Sequence, residues 1–135
     1  MKTISIRGKE YYTVNERLLY FKEHYPEGYI TTKIVAQDEN TVTIKATVKP
    51  EVGRSFTGHA YEDKRDGYIN KTSHVENCET SAVGRALAMM GIGIVNSVAS
   101  ADEVVNAKAK MEYMAPPKKI IKGTPEPTKQ GQAPF

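Results

Sequence analysis

Residues 30–49 read ITTKIVAQDENTVTIKATVK. Ile30, Thr32, Ile34 and Ala36 alternate with more polar neighbours. Val42, Ile44, Ala46 and Val48 alternate in the same way with Thr41, Thr43, Lys45, Thr47 and Lys49. Successive side chains of a strand point to opposite faces, so period two predicts strands buried on one side only. Asp38-Glu39-Asn40 between the two runs is a turn signal. The stretch therefore predicts a hairpin, in a sheet with one packed face and one open face.

Working outward, Pro50 to Gly53 makes a second turn, and Ser55–Tyr61 predicts a third strand. Gly58 either weakens that strand or allows close backbone approach. Residues 62–71 (EDKRDGYINK) predict a charged loop around Asp66-Gly67. Upstream, Val14–His24 predicts a helix. Thr13 and Glu16 have capping-box spacing, Val14, Leu18, Phe21 and Tyr25 form an apolar stripe, and Pro26 and Gly28 end it. Downstream, Ser73 and Glu76 repeat the capping-box spacing, and Val75, Cys78, Ala82, Ala86 and Met89/Met90 make a second stripe. Gly91 is a natural stop, since it accepts positive φ. Because Ala82, Gly84, Ala86 and Ala88 are small, this helix can lie close to its neighbour. A third helix is predicted from Ser100, with Glu103 three residues on, through Met111. The fold class is α+β: a helix, a three-stranded antiparallel meander, a long helix packed on the sheet, and a further C-terminal helix.

The ordered domain is expected over 1–112, followed by a disordered Pro/Lys-rich tail over 113–135. From Ala115 the chain reads APPKKIIKGTPEPTKQGQAPF, with little that could bury a core. The net charge of +3 over 135 residues is unevenly spread. Residues 1–106 hold 13 basic and 14 acidic side chains, and residues 107–135 hold six lysines and two glutamates. A globally basic surface therefore cannot be argued from the charge. No apolar run is long enough for a membrane helix, and no N-terminal stretch reads as a signal peptide. With one cysteine, Cys78, and no export signal, a cytoplasmic location is expected.

Catalytic groups are few. His74 and Cys78 share helical spacing, but two ligands do not close a structural zinc site, and Cys78 reads as a small core residue. A Cys–His nucleophile pair lacks an orienting third group. Gly91-Ile92-Gly93-Ile94 is a helix stop rather than a phosphate loop. Glu62, Asp63 and Asp66 are interleaved with Lys64 and Arg65, as in a solvated loop. The expectation is no enzyme, no cofactor and no metal. What recurs is basic residues near aromatics: Lys45, Lys49, Arg54, Tyr61, Lys64, Arg65, Tyr68 and Lys71. Single strands are held by cationic grooves and stacking platforms of these residue types, although a polar sheet face has much the same composition.

Residues 70–107, and above all Glu79–Leu87 (ETSAVGRAL), resemble the phage single-strand annealing proteins of the Erf and Sak groups, within the wider Rad-fifty-two-like superfamily. That resemblance implies a β-β-β-α core assembling into a ring or filament. Single-stranded DNA would lie in a basic groove along the oligomer, without covalent chemistry. It also implies Arg85, the basic residue before Ala-Leu, as a phosphate contact; a salt bridge to a neighbouring acid is the alternative. A phage exonuclease or a host replication protein would be a further partner. Pro134-Phe135 is similar to the tip with which bacterial single-strand-binding proteins dock partners, though the preceding acids are absent. Two other readings stand beside annealing. One is a protector that binds single strands without pairing them. The other is a small phage protein that engages a host protein through its sheet edge or tail.

Overall fold

The computed structural model describes residues 1–114, and the tail from residue 115, including Pro134 and Phe135, lies outside them. A small hairpin comes first, β1 (Thr3–Ile6) and β2 (Lys9–Tyr12), followed by α1 (Val14–His24). Then come β3 (Tyr29–Gln37), β4 (Thr41–Lys49) and β5 (Phe56–Asp63), and after them α2 (Tyr68–Met89) and α3 (Ala101–Met114). β3, β4 and β5 form an antiparallel sheet in that order. The α+β class and the long helix on the sheet are as expected.

β4 shows why this sequence makes a two-sided sheet. Val42, Ile44, Ala46 and Val48 are wholly buried, and every intervening residue is partly exposed. The buried face meets Cys78, Ala82, Ala86 and Leu87 of α2, with Phe21 of α1 completing the core. Gly58 is the point of closest approach. A Cβ there would lie 2.7 Å from the Ala82 carbonyl oxygen and 2.8 Å from the Arg85 carbonyl carbon. Only glycine lets the helix backbone lie against β5, which is the second of the two expectations for this residue.

The helix ends follow the capping signals in two of three cases. Thr13 Oγ1 accepts from the Glu16 amide at 3.1 Å, while the Glu16 carboxylate turns instead to the Lys2 amide. At α3 both halves of the box form: Ser100 Oγ accepts from the Glu103 amide, and Glu103 Oε1 accepts from the Ser100 amide, each at 3.2 Å. Ser73 differs. The helix begins five residues earlier, at Tyr68, and Ser73 is a break inside it, with φ −135° and ψ 27°. The expected loop over 62–71 is thus the end of β5, a short turn and the first turn of α2. The third strand likewise runs to Asp63 rather than Tyr61. Gly91, at φ 99°, stops α2 as expected.

α3 is fastened by polar contacts. Asp102 accepts from the Val14 amide at 2.7 Å, and Glu103 meets Arg85 at 3.3 Å. Glu62, almost fully buried, receives Asn70 (2.7 Å), Asn106 (3.0 Å) and Lys110 (2.6 Å). No helix among the described residues is long and apolar enough to cross a membrane.

Candidate functional site

The open face of the sheet is built by register. Lys33 lies opposite Lys45, and Lys45 opposite His59, so three basic side chains stand in one row across the strands. Strand spacing of about 5 Å places the three within roughly 10 Å. One row along, Thr31, Thr47 and Thr57 align as hydroxyls; beyond them Tyr29 faces Lys49, whose Nζ lies 5.9 Å from the ring centroid. On the other side Thr43 faces Tyr61. Both tyrosines are more than half exposed.

No Asp or Glu occupies an open-face position in these rows. Two carboxylates at the margins have partners. Asp63, at the end of β5, is clamped by Arg65 through two side-chain bonds (2.8 and 2.6 Å) and one from the backbone amide (2.9 Å). Those bonds hold the Asp63 carboxyl down at about 2. Glu51, in the turn before β5, sits 3.7 Å from Arg54. Like charges placed directly opposite one another destabilise a sheet unless a counter-charge relieves them. Two lysines directly opposite each other, with no acid in their row, thus make a face that gains from an anion.

The residues singled out from sequence separate into groups. Lys45, Lys49 and Tyr61 are on the open face. Lys33, His59 and Tyr29 join them and were not singled out for binding. The alternation of residues 29–37 carried the signal for Lys33 and Tyr29, since both fall on the face opposite Ile30 and Ile34. Lys71 and Tyr68 meet at the start of α2, where Lys71 lies 5.5 Å from the Tyr68 ring and Tyr113 meets it edge-on, while Lys64 lies in the turn before the helix, its amide donating to the Asn40 carbonyl. Arg65 is engaged by Asp63. Arg54 lies over the Phe56 ring at 5.4 Å. Arg85 is on the far side of the sheet, in the seam between α2 and α3, paired with Glu103. That pair is the salt-bridge alternative named for it. Cys78 is buried, its thiol donates to the Ala60 carbonyl at 3.2 Å, and burial pushes it up to about 11.

A family model described as Slr1353 N-terminal dsRNA-binding domain-like matches residues 18–90, from α1 to the end of α2. No curated protein and no solved structure matches the chain. The match corrects the kinship expected from ETSAVGRAL. The segment lies within a domain of this family and not of the Erf, Sak or Rad-fifty-two-like annealing proteins. A short helical motif of small residues misleads because close packing against a sheet imposes it in unrelated domains.

Proposed function

The chain belongs to the Slr1353 N-terminal dsRNA-binding domain-like family, and we propose on that footing that it binds nucleic acid through the open face of its sheet. One observation supports this reading above the others: Lys33, Lys45 and His59 form a cross-strand row on a face whose carboxylate in register, Asp63 opposite Thr41, is taken up by Arg65. Phosphates are the polyanion that such a row neutralises, with release of counterions. Tyr29 and Tyr61 stand at opposite ends of the face, about 20 Å apart along the strand direction, each exposed enough to stack on a base. That arrangement favours a single strand, whose bases are free to stack. Annealing of complementary strands, by copies that join such faces, is the finer form of this proposal, and the cytoplasm is its compartment.

Duplex RNA, the ligand in the family's description, is the second reading. It is recognised by shape and by contacts to phosphates and 2′-hydroxyls, and the threonine row beside the lysines offers partners for both. A titration of single- and double-stranded RNA and DNA at two salt concentrations separates the readings. Single strands binding more tightly supports the first, and duplex RNA binding more tightly supports the second. No binding to any of the four at low salt overturns both. Mixing complementary oligonucleotides with the protein tests annealing, and unchanged pairing rates would refute it.

A further inference from the structure

A groove of about 490 Å³ lies between β5 and α3. α3 reaches across it at two places. Glu103 meets Arg85 of α2, and seven residues further on Lys110 meets Glu62, which Asn106 also contacts. The groove is the space that these contacts leave between helix and strand. His59 and Tyr61 line it as well, and both stand exposed on the open face, so the two surfaces are continuous around the edge of the sheet. Its volume falls within the range of about 300–1,000 Å³ common to small-ligand sites.

The lining selects the chemistry of the occupant. Within the groove the charges cancel, Arg85 against Glu103 at 3.3 Å and Lys110 against Glu62 at 2.6 Å. A phosphate here would lie beside two carboxylates, so the groove favours a neutral group. Polar groups are nevertheless left over. Ser81 is 7% exposed, and its hydroxyl has no hydrogen-bond partner among the described residues. A buried polar group is costly unless something polar reaches it. Arg85 donates through Nη1 alone among the described residues, out of five N–H groups. Asn106 gives its amide nitrogen to Glu62, which leaves its carbonyl oxygen to accept. The rest of the wall is small and apolar, with Ala60, Ala99, Val104 and Ala107. A neutral, flat group with a mixed donor and acceptor edge meets all these conditions, and a nucleobase is such a group.

We propose that the groove receives one base of a strand held on the open face, with Arg85 and Ser81 donating to the base edge and Asn106 accepting from it. The proposal rests on the nucleic-acid reading above and adds to it a contact with a base edge. Phosphates stay on the row of Lys33, Lys45 and His59, and the base turns around β5 past His59 and Tyr61. In a single strand the bases are unpaired, so turning one out costs only its stacking. A base contact releases no counterions, so it raises affinity without steepening the salt dependence.

The test fills the groove from its solvent side. Ala107 lines it from an exposed position on α3, and leucine suits a helix nearly as well as alanine. The full chain and its Ala107→Leu variant are titrated with mixed-sequence single-stranded RNA and DNA oligonucleotides, and with abasic strands of the same length. The variant should bind the intact strands about tenfold more weakly, with the slope of log affinity against log salt unchanged and the abasic strands bound as by the parent. Equal affinity of parent and variant for the intact strands overturns the proposal. An equal loss on intact and abasic strands also overturns it, since the substitution would then have disturbed the phosphate-binding face. If no strand binds the parent, the nucleic-acid reading itself fails. The groove is then tested alone with the four free nucleosides, followed by amide chemical shifts of β5 and α3. Shifts that Ala107→Leu abolishes support a base as the ligand and assign it to a free nucleoside, and unmoved shifts overturn the groove as a base site.

Discussion

The guanidinium of Arg17 is wholly buried and donates twice to the Gly93 carbonyl, through Nε at 3.2 Å and Nη2 at 3.0 Å. The same side chain reaches the Gly84 carbonyl at 3.0 Å and the Ala99 carbonyl at 3.4 Å. One cation thus ties α1 to α2 and to both ends of the segment between α2 and α3. Burial lowers its proton affinity, and Glu103 and Asp102 partly restore it.

Arg17→Met should therefore destabilise the fold strongly. It keeps much of the aliphatic volume but leaves the Gly93 and Ala99 carbonyls without their Arg17 donor, at about 1–3 kcal/mol for each one left buried and unpaired, while the Gly84 carbonyl keeps its bond within α2. A net loss of about 3 kcal/mol in urea unfolding is expected. A loss below about 1 kcal/mol would show that the carbonyls find water or another donor.

Two glycines should respond differently to the same methyl group. At Gly58 the added carbon meets helix backbone, which cannot step aside, and Gly58→Ala should cost about 3 kcal/mol. At Gly84 it meets the Cγ2 of Val14 at 2.6 Å, a side-chain methyl rather than backbone, which has to shift to make room. Alanine also favours the helix by about 1 kcal/mol there, so Gly84→Ala should fall within about 1 kcal/mol of the parent. Thermal melts of the two variants side by side check the order.

Nucleic-acid affinity should track the open face. Lys45→Ala should weaken binding and lower the dependence of log affinity on log salt by about one contact. Arg85→Ala should leave that slope unchanged, because Arg85 is engaged by Glu103 on the far side of the sheet. The reverse pattern would move the interface to the seam between α2 and α3.

Acid stability should depend on Asp63. Its folded carboxyl titrates at about 2, below the ordinary 3.8, because Arg65 holds the charged form. A depressed carboxyl contributes stability above its unfolded value and loses it as pH falls through the folded one. Asp63→Asn should therefore flatten the stability profile between about pH 4 and pH 2 and leave the slope at neutral pH unchanged. An unaltered acid limb in the variant would mean that Arg65 does not hold the carboxylate in solution.

The Cys78 thiol should be silent in the folded protein. Its inward position and a proton held up to about 11 leave almost no thiolate at neutral pH. A thiol-exchange reagent should react in native buffer only at the rate of unfolding, and at once in denaturant. Fast native reaction would reveal local opening of α2 from β5.

Much of this was readable from local pattern. β4 alternates so cleanly that its buried set could be named residue by residue, because a strand's periodicity is a property of the backbone alone. The Ser100–Glu103 box and the Gly91 stop are also local, each settled within four residues. The first hairpin escaped because four-residue strands are too short for a period to register, and its turn is Arg7-Gly8 rather than a common turn pair. Ser73 misled because a capping signal marks where helical hydrogen bonding can begin, and here it marks where the helix breaks.

The strands, the long helix and the two-faced sheet follow from the chain's own alternation, since neighbouring residues impose those hydrogen bonds and face assignments. Three features do not. Arg17 is buried only because three distant carbonyls surround it. Arg85 is engaged only because α3 brings Glu103 to it. Lys33, Lys45 and His59 stand in one row only because pairing register, set by the packing of β4 on α2, aligns them. Each depends on residues far apart in sequence, where burial and register are properties of the assembled core and no local pattern carries them.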